Sequence, residues 1–204
     1  KQQFLKKTRL FFEEKNLIEV NTNHLSVAAG TDVHIRSWTT INHQNQRWFL
    51  HTSPEFAMKK LLAQNSGDIF QICQVYRDES VGNWHNQEFQ MLEWYRVNWS
   101  LEQLIAEVLE LIYSTGKQFS TNHYSILEIF NEKANWNPWQ SGAISQAKKS
   151  FPNGPGGNCI ATWFDYILVE KIEPALKNKE LVILYDYPPS HAALAKTIKK
   201  GKRY

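Results

Sequence analysis

The chain has 204 residues, eight of them Trp and eight Tyr, in an otherwise ordinary globular composition with a formal net charge of +3. That length allows one domain with a sizeable core, and the small charge neither demands nor excludes a polyanionic partner such as a nucleic acid. No apolar run is long enough to cross a membrane and no signal peptide opens the chain, so a cytoplasmic, reducing location is expected.

Residues 3–15 carry Phe4, Leu5, Leu10, Phe11 and Phe12 among charges, the pattern of an amphipathic helix. A short strand is expected at Leu17-Ile18-Glu19-Val20, and a turn at Gly30. Residues 33–40 and 47–51 alternate as strands, joined by the polar connection 42–46. Ser53-Pro54-Glu55 opens a helix running to residue 62, with Ser53 as N-cap, Pro54 at the first helical position and Glu55 in the first turn. Strands follow at 68–76 and 88–97, joined by the polar loop 78–87. Leu101, Leu104, Ile105, Val108, Leu109 and Ile112 share one helical face. The signal is weak over 115–155, and the Pro/Gly-rich residues 151–157 form a loop. A helix is expected at 162–176 and a buried strand at 181–187, stopped by Pro188 and Pro189. Together these elements make an α+β fold, an antiparallel sheet flanked by helices.

The two cysteines, Cys73 and Cys159, have no CxxC or Cys/His spacing, so no zinc site is expected and no disulfide can be inferred. Cys73 lies in an apolar run and is expected to be a buried free thiol. The chain starts on Lys1 inside a helix and ends at Tyr204 without a stop signal; both ends look cut, as in a fragment of a longer protein.

The chemistry gathers where strands 68–76 and 88–97 meet their loop. Arg77 and Glu79 stand where the first strand ends; His85 and Asn86 stand just before the second. An arginine there can bond a phosphate in bidentate fashion and stabilise developing charge. A glutamate beside it can accept from an exocyclic amine, and Phe89 offers a face for stacking a base. Singly, an Arg-Asp-Glu run is a solvated turn and a Phe is core; the order and spacing here argue otherwise.

Tyr76-Arg77-Asp78-Glu79 followed by His85-Asn86-Gln87-Glu88-Phe89-Gln90-Met91-Leu92-Glu93-Trp94-Tyr95 resembles motif 2 of the class II aminoacyl-tRNA synthetases, in its lysyl-tRNA synthetase form. Thr52-Ser53-Pro54-Glu55-Phe56 and the Leu92-Glu93-Trp94-Tyr95 ending are more similar to the truncated paralogues of those enzymes, the elongation factor P–(R)-β-lysine ligases. Thr31-Asp32-Val33-His34 and residues 187–195 add to this resemblance, which is weakest over 115–158.

The resemblance implies one class II synthetase-like catalytic domain over residues 1–204. It implies that Arg77 binds the α-phosphate of ATP and is catalytic, that Glu79 holds the adenine amino group, and that Phe89 stacks on the ring. Asp78, His85 and Asn86 would complete the ATP site. Ser53, Pro54, Glu55 and Tyr95 would line the amino-acid pocket, with Glu55 near the substrate's ammonium group. The implied reaction, assisted by Mg²⁺, activates lysine or (R)-β-lysine as an adenylate and passes it to a lysine of elongation factor P. A homodimer is implied, and a tRNA partner is not.

Three departures stand out. Thr22-Asn23 occupies the place of the motif 1 proline that shapes the family's dimer interface. Gln87 replaces the proline of the family's HNPEF run, which is expected to loosen the loop. The Gly-rich motif 3, with its second ATP-binding arginine, is not in the chain. A lysyl-tRNA synthetase fragment or a non-catalytic remnant would share these features.

Overall fold

The computed structural model describes residues 1–197 except Val33 and Trp84. The chain divides into two compact units, Lys1–Lys117 and Gln118–Tyr204.

In the first unit, α1 (Gln2–Glu14) turns its apolar stripe inward. Phe12 is fully buried, stacked on Phe70 with ring centroids 4.9 Å apart and tilted against Trp94 at 5.3 Å. The helix ends at Asn16, whose φ of 60° lies in the left-handed region that Asn tolerates. Strand β1 (Ile18–Glu19) pairs parallel with Ile69 and Phe70. Strands β2 (Leu25–Ser26), β3 (Thr39–Ile41) and β4 (Arg47–Leu50) form a separate antiparallel sheet in the order β2-β4-β3. After α2 (Glu55–Ala63) come β5 (Ile69–Tyr76) and β6 (Glu88–Tyr95). These two strands pair antiparallel along their full length, from Ile69 opposite Tyr95 to Tyr76 opposite Glu88.

Because side chains alternate across a strand, that register assigns each residue of the hairpin to a face. Phe70, Ile72, Leu92 and Trp94 lie on one face and pack with Phe11, Phe12, Leu17 and Leu111. The opposite face carries Ile69, Gln71, Cys73 and Val75 beside Phe89, Met91, Glu93 and Tyr95.

The hairpin is locked at its open end, away from the loop. Arg96 Nε donates to both carboxylate oxygens of Glu107 at 3.0 Å, and a second guanidinium nitrogen bonds Asp68 at 2.9 Å. Trp94 Nε1 also donates to Glu107, at 3.0 Å, and Arg96 reaches the carbonyl of Lys15 at the end of α1. Glu107 belongs to α3 (Leu101–Ser114), which starts on a capping box between Ser100 and Gln103. The expected apolar stripe of α3 is only partly covered, with Leu101 half exposed; its fully buried residue is the charged Glu107. The same cluster ends β6 two residues before the expected boundary. Val97 N donates to Asp68 at 2.7 Å instead of to a neighbouring strand, and Asn98 turns the chain at φ 62°.

Two further expectations shift. Val33 lies outside the described residues, and of the strand expected over 33–40 only residues 39 and 40 form, within β3. The carbonyl of Arg36 instead accepts from Asp78 N at 2.9 Å, so this backbone serves the loop and not a sheet. Helix α2 begins at Glu55, one residue later than expected. Ser53 Oγ accepts weakly from Glu55 N at 3.4 Å, a local turn and not an N-cap.

In the second unit, β7 (Thr121–Ser125) pairs parallel with β8 (Leu181–Tyr185). Between them run α4 (Ile126–Ala134), α5 (Ala143–Ser150), α6 (Ile160–Ile167), a π-helical turn (Leu168–Ile172) and α7 (Glu173–Leu176). Their core holds Phe130, Trp136, Trp163 and Phe164. The helix expected over 162–176 starts at Ile160 and widens into the π turn before Pro174, which has no N–H to continue the α pattern. The 187–195 segment is pinned to α6, His191 Nε2 donating to Asp165 at 2.9 Å. Residues 198–204, including the basic end, lie outside the described residues.

Removing one partner of a buried ion pair strands the other charge. Glu107→Ala is expected to lower the unfolding free energy by about 3–5 kcal/mol in urea titrations. A loss below about 1 kcal/mol would mean that Arg96 is not held by this pair.

Candidate active site

Residues 51 and 52 run beside the loop end of β5. Tyr76 N donates to the carbonyl of His51 at 3.1 Å, and His51 Nε2 donates to the carbonyl of Gln74 at 2.7 Å. The His51 ring stacks on His24, centroids 4.6 Å apart. Burial lowers the His51 pKa below its ordinary 6.5; the bond to Gln74 opposes this, and the His24 ring adds to it. This clamp carries Thr52, Ser53 and buried Pro54 to the end of the hairpin.

Arg77 is the first residue past β5. Its backbone N donates to the carbonyl of Gln87 at 2.8 Å, closing the base of the loop. Its Nε points to the carbonyl of Thr52 at 3.4 Å, and its guanidinium lies 5.2 Å from the centre of the Phe89 ring. A cation and an aromatic face are thus presented side by side, half-buried, next to the α2 start. Asp78 is held by the segment before β3, its backbone by Arg36 and its carboxylate 3.9 Å from the exposed Arg36 guanidinium. Gln87 ties the loop where loosening was expected: its Nε2 donates to the carbonyl of Glu79 at 2.9 Å.

Further along the same face, Glu93 meets Glu55 of α2 in an acidic cluster. Tyr95 donates its hydroxyl to Glu93 at 2.6 Å, and Lys59 of α2 bonds Glu55 at 2.7 Å. Burial pushes the Glu93 carboxyl above its ordinary 4.5. The Tyr95 hydroxyl opposes that shift, the Glu55 carboxylate reinforces it, and Lys59 opposes it. Burial and the neighbouring Glu93 also raise the Tyr95 phenol above its ordinary 10. Two carboxylates thus sense each other across α2 and β6, an arrangement suited to an incoming cation. Below them, Cys73 is a free buried thiol pushed up to about 11 by burial, as its apolar surroundings in the sequence led us to expect. Gln71, 1% exposed, makes no hydrogen bond of good geometry through its amide but acts on the Cys73 thiol, opposing the effect of burial there.

The fold therefore brings Arg77, Phe89, Ser53, Pro54, Glu55 and Tyr95 along one face and its flanking turn. Glu79, His85 and Asn86 belong to the loop, where His85 closes only a backbone turn onto Gly82 and, like Asn86, is exposed. Glu93, Lys59 and Gln71 were not singled out from the sequence. The two-residue period of 89-91-93-95 and the four-residue spacing of Glu55 and Lys59 carried the signal for the first two. Among the described residues no group of three or more His, Cys, Asp or Glu could hold a metal ion.

The family model for class II tRNA synthetases (D, K and N) matches residues 1–203. The chain belongs to this class II synthetase family. Among its relatives, a protein of Haemophilus influenzae named elongation factor P–(R)-β-lysine ligase is 34% identical over 98% of this chain and 65% of its own length. Proteins of the same name from Histophilus somni and Buchnera aphidicola are each 34% identical, over 96% and 92% of this chain and 63% and 61% of their own lengths. This class II synthetase chain thus spans about 65% of the length of the first of the curated relatives it matches. No helix among the described residues is long and apolar enough to cross a membrane.

The raised Glu93 pKa makes a signed prediction. Glu93 holds its proton more tightly in the folded chain than in the unfolded one, so its contribution to stability is full below pH 4.5 and is lost as pH rises through the raised value. Glu93→Gln keeps an acceptor for Tyr95 and removes the charge. Its melting temperature relative to the parent is expected to rise from pH 4 to pH 8; a pH-independent difference would contradict the assignment.

Proposed function

We propose that the protein activates lysine or (R)-β-lysine with ATP as an aminoacyl-adenylate and transfers it to a lysine side chain of elongation factor P. The observation that carries this reading is the placement, on one hairpin face, of a phosphate-type cation beside an aromatic ring at one end and paired carboxylates at the other. The names of the relatives from Haemophilus and Histophilus support the same substrate and acceptor.

In this reading the amino-acid carboxylate oxygen attacks the α-phosphorus, forming the P–O bond of the adenylate as pyrophosphate leaves. Arg77 binds the α-phosphate and offsets the charge that develops there. Phe89 stacks on adenine; Glu79 takes its amino group, and Asp78, His85 and Asn86 complete the ATP side from the loop. Glu55, Glu93 and Tyr95 receive the ammonium groups, beside Ser53 and Pro54. A lysine amine of elongation factor P then attacks the acyl carbon, AMP leaves, and the amine loses a proton. Positioning and charge stabilisation supply the rate without a side-chain nucleophile. Mg²⁺ would arrive on the triphosphate, held through its oxygens, and the steps above do not run through it. We also propose a cytoplasmic homodimer that does not act on tRNA; exposed Phe4, Leu10 and Ile18 on α1 and β1 favour self-association.

A lysyl-tRNA synthetase shares the motif 2 geometry and is the competing reading. It predicts lysine transfer to tRNA and none to elongation factor P, which labelled lysine with each acceptor decides. In the full-length protein, Arg77→Ala is expected to slow lysine- or β-lysine-dependent ATP–pyrophosphate exchange by roughly 100-fold or more. An unchanged rate would remove Arg77 from the α-phosphate.

A further inference from the structure

The outer edge of β5 is bordered by β1 only at Ile69 and Phe70, where the Phe70 carbonyl accepts from Val20 N at 2.8 Å. At the loop end, His51 does the work of a strand. Its carbonyl accepts from Tyr76 N at 3.1 Å, its backbone N donates to the His24 carbonyl at 2.8 Å, and its ring Nε2 bonds the Gln74 carbonyl at 2.7 Å. A carbonyl can only accept, so Nε2 carries the ring proton and Nδ1 is a bare acceptor. Nδ1 is shut off from solvent and has no hydrogen-bond partner among the described residues. The groups facing the ring are the His24 imidazole, stacked at 4.6 Å, and the Tyr76 ring at 6.3 Å. Past Thr52 stands Arg77, whose Nε points to the Thr52 carbonyl at 3.4 Å. Glu88 of β6 is bonded to the Gln74 side chain at 2.9 Å, and the charge that acts on the His51 ring is that of His24.

We propose that His51 is a positioning residue of the ATP side: its neutral ring fastens the Thr52–Pro54 turn to the hairpin edge, and protonation at Nδ1 loosens that turn and the Arg77 guanidinium set against it, so that ATP use weakens in acid. The inference rests on the reading of Arg77 as the α-phosphate ligand. A second ring proton has no acceptor to meet, and the charge it brings is placed against His24 and one residue from the contact that holds Arg77. Burial and the His24 ring therefore hold His51 below its ordinary 6.5, while the Gln74 carbonyl works the other way. The ring has two separable duties: a donor for Gln74, and a group that must stay uncharged.

The test compares the parent, His51→Gln and His51→Phe in the full-length protein, by lysine-dependent ATP–pyrophosphate exchange and by thermal unfolding from about pH 4.5 to about pH 8. Phe keeps an aromatic face for His24 and loses the donor. At about pH 8 it should lower kcat/KM for ATP about tenfold or more, as an unpaired buried carbonyl does, with the KM for lysine within about twofold. Gln places an amide N–H where the ring Nε2 stands and does not titrate. It should recover most of the rate that Phe loses, and the ratio of parent to Gln in kcat/KM for ATP should fall at least about threefold from the top of the range to the bottom. The neutral ring's contribution to stability is full above pH 6.5 and is lost as pH falls through the lowered value, so the parent's melting temperature relative to the Gln variant should drop toward acid. A parent-to-Gln ratio that stays flat in exchange or in melting, or a Phe variant as active as the parent, would each overturn the proposal. The Gln comparison decides it even where the Phe variant does not fold. Absence of lysine-dependent exchange in the parent would be seen before any variant is compared; it would retire the lysine reading, and this inference with it.

Discussion

The full-length antiparallel pairing of β5 with β6 decides what every other part of the first unit can do. With Ile69 opposite Tyr95, the two-residue period places Phe89, Glu93 and Tyr95 on one side and Leu92 and Trp94 on the other. A slip of one residue would bury the glutamate against Phe12 and turn the tryptophan to the acidic cluster. The register is held from both ends. Arg96, bound by Glu107 and Asp68, anchors the end near α1, and the Arg77–Gln87 backbone bond closes the loop.

The two faces divide the work. One is a small aromatic core in which Phe12 meets Phe70 and Trp94, and its burial stabilises the hairpin. The other carries features that burial disfavours: a carboxyl and a thiol both pushed above their ordinary values, and a buried amide. Polar groups kept in this state at the cost of stability are the features on which the proposed site rests. The apolar face and the Arg96 cluster offset that cost.

Much of this was legible in the sequence. The motif running from Tyr76 to Tyr95 placed the hairpin and its loop, the resemblance named the family, and Cys73 was correctly read as a buried thiol. What was hidden depends on long-range contacts. The end of β6 is set by Asp68, distant in sequence, and the segment after Val33 gives its backbone to Asp78 and not to a sheet. Gln87 was expected to loosen the loop, and only its side-chain bond to Glu79 shows that it ties it. Over 115–155 the helices carry short apolar patterns without strong periodicity, although the Ser125–Glu128 capping box was a readable start signal. Gln71 could not be separated from an ordinary strand residue until its burial was known.

The central claim is that one hairpin face reads a side-chain ammonium at one end and a phosphate at the other. It is tested most directly by ATP–pyrophosphate exchange in the full-length protein, with lysine or (R)-β-lysine set against norleucine, which has lysine's carbon skeleton and no side-chain ammonium. A site whose half-buried carboxylates gain no ammonium partner from norleucine should favour the diamino acid in kcat/KM by at least about 100-fold. Comparable exchange with norleucine would contradict the account.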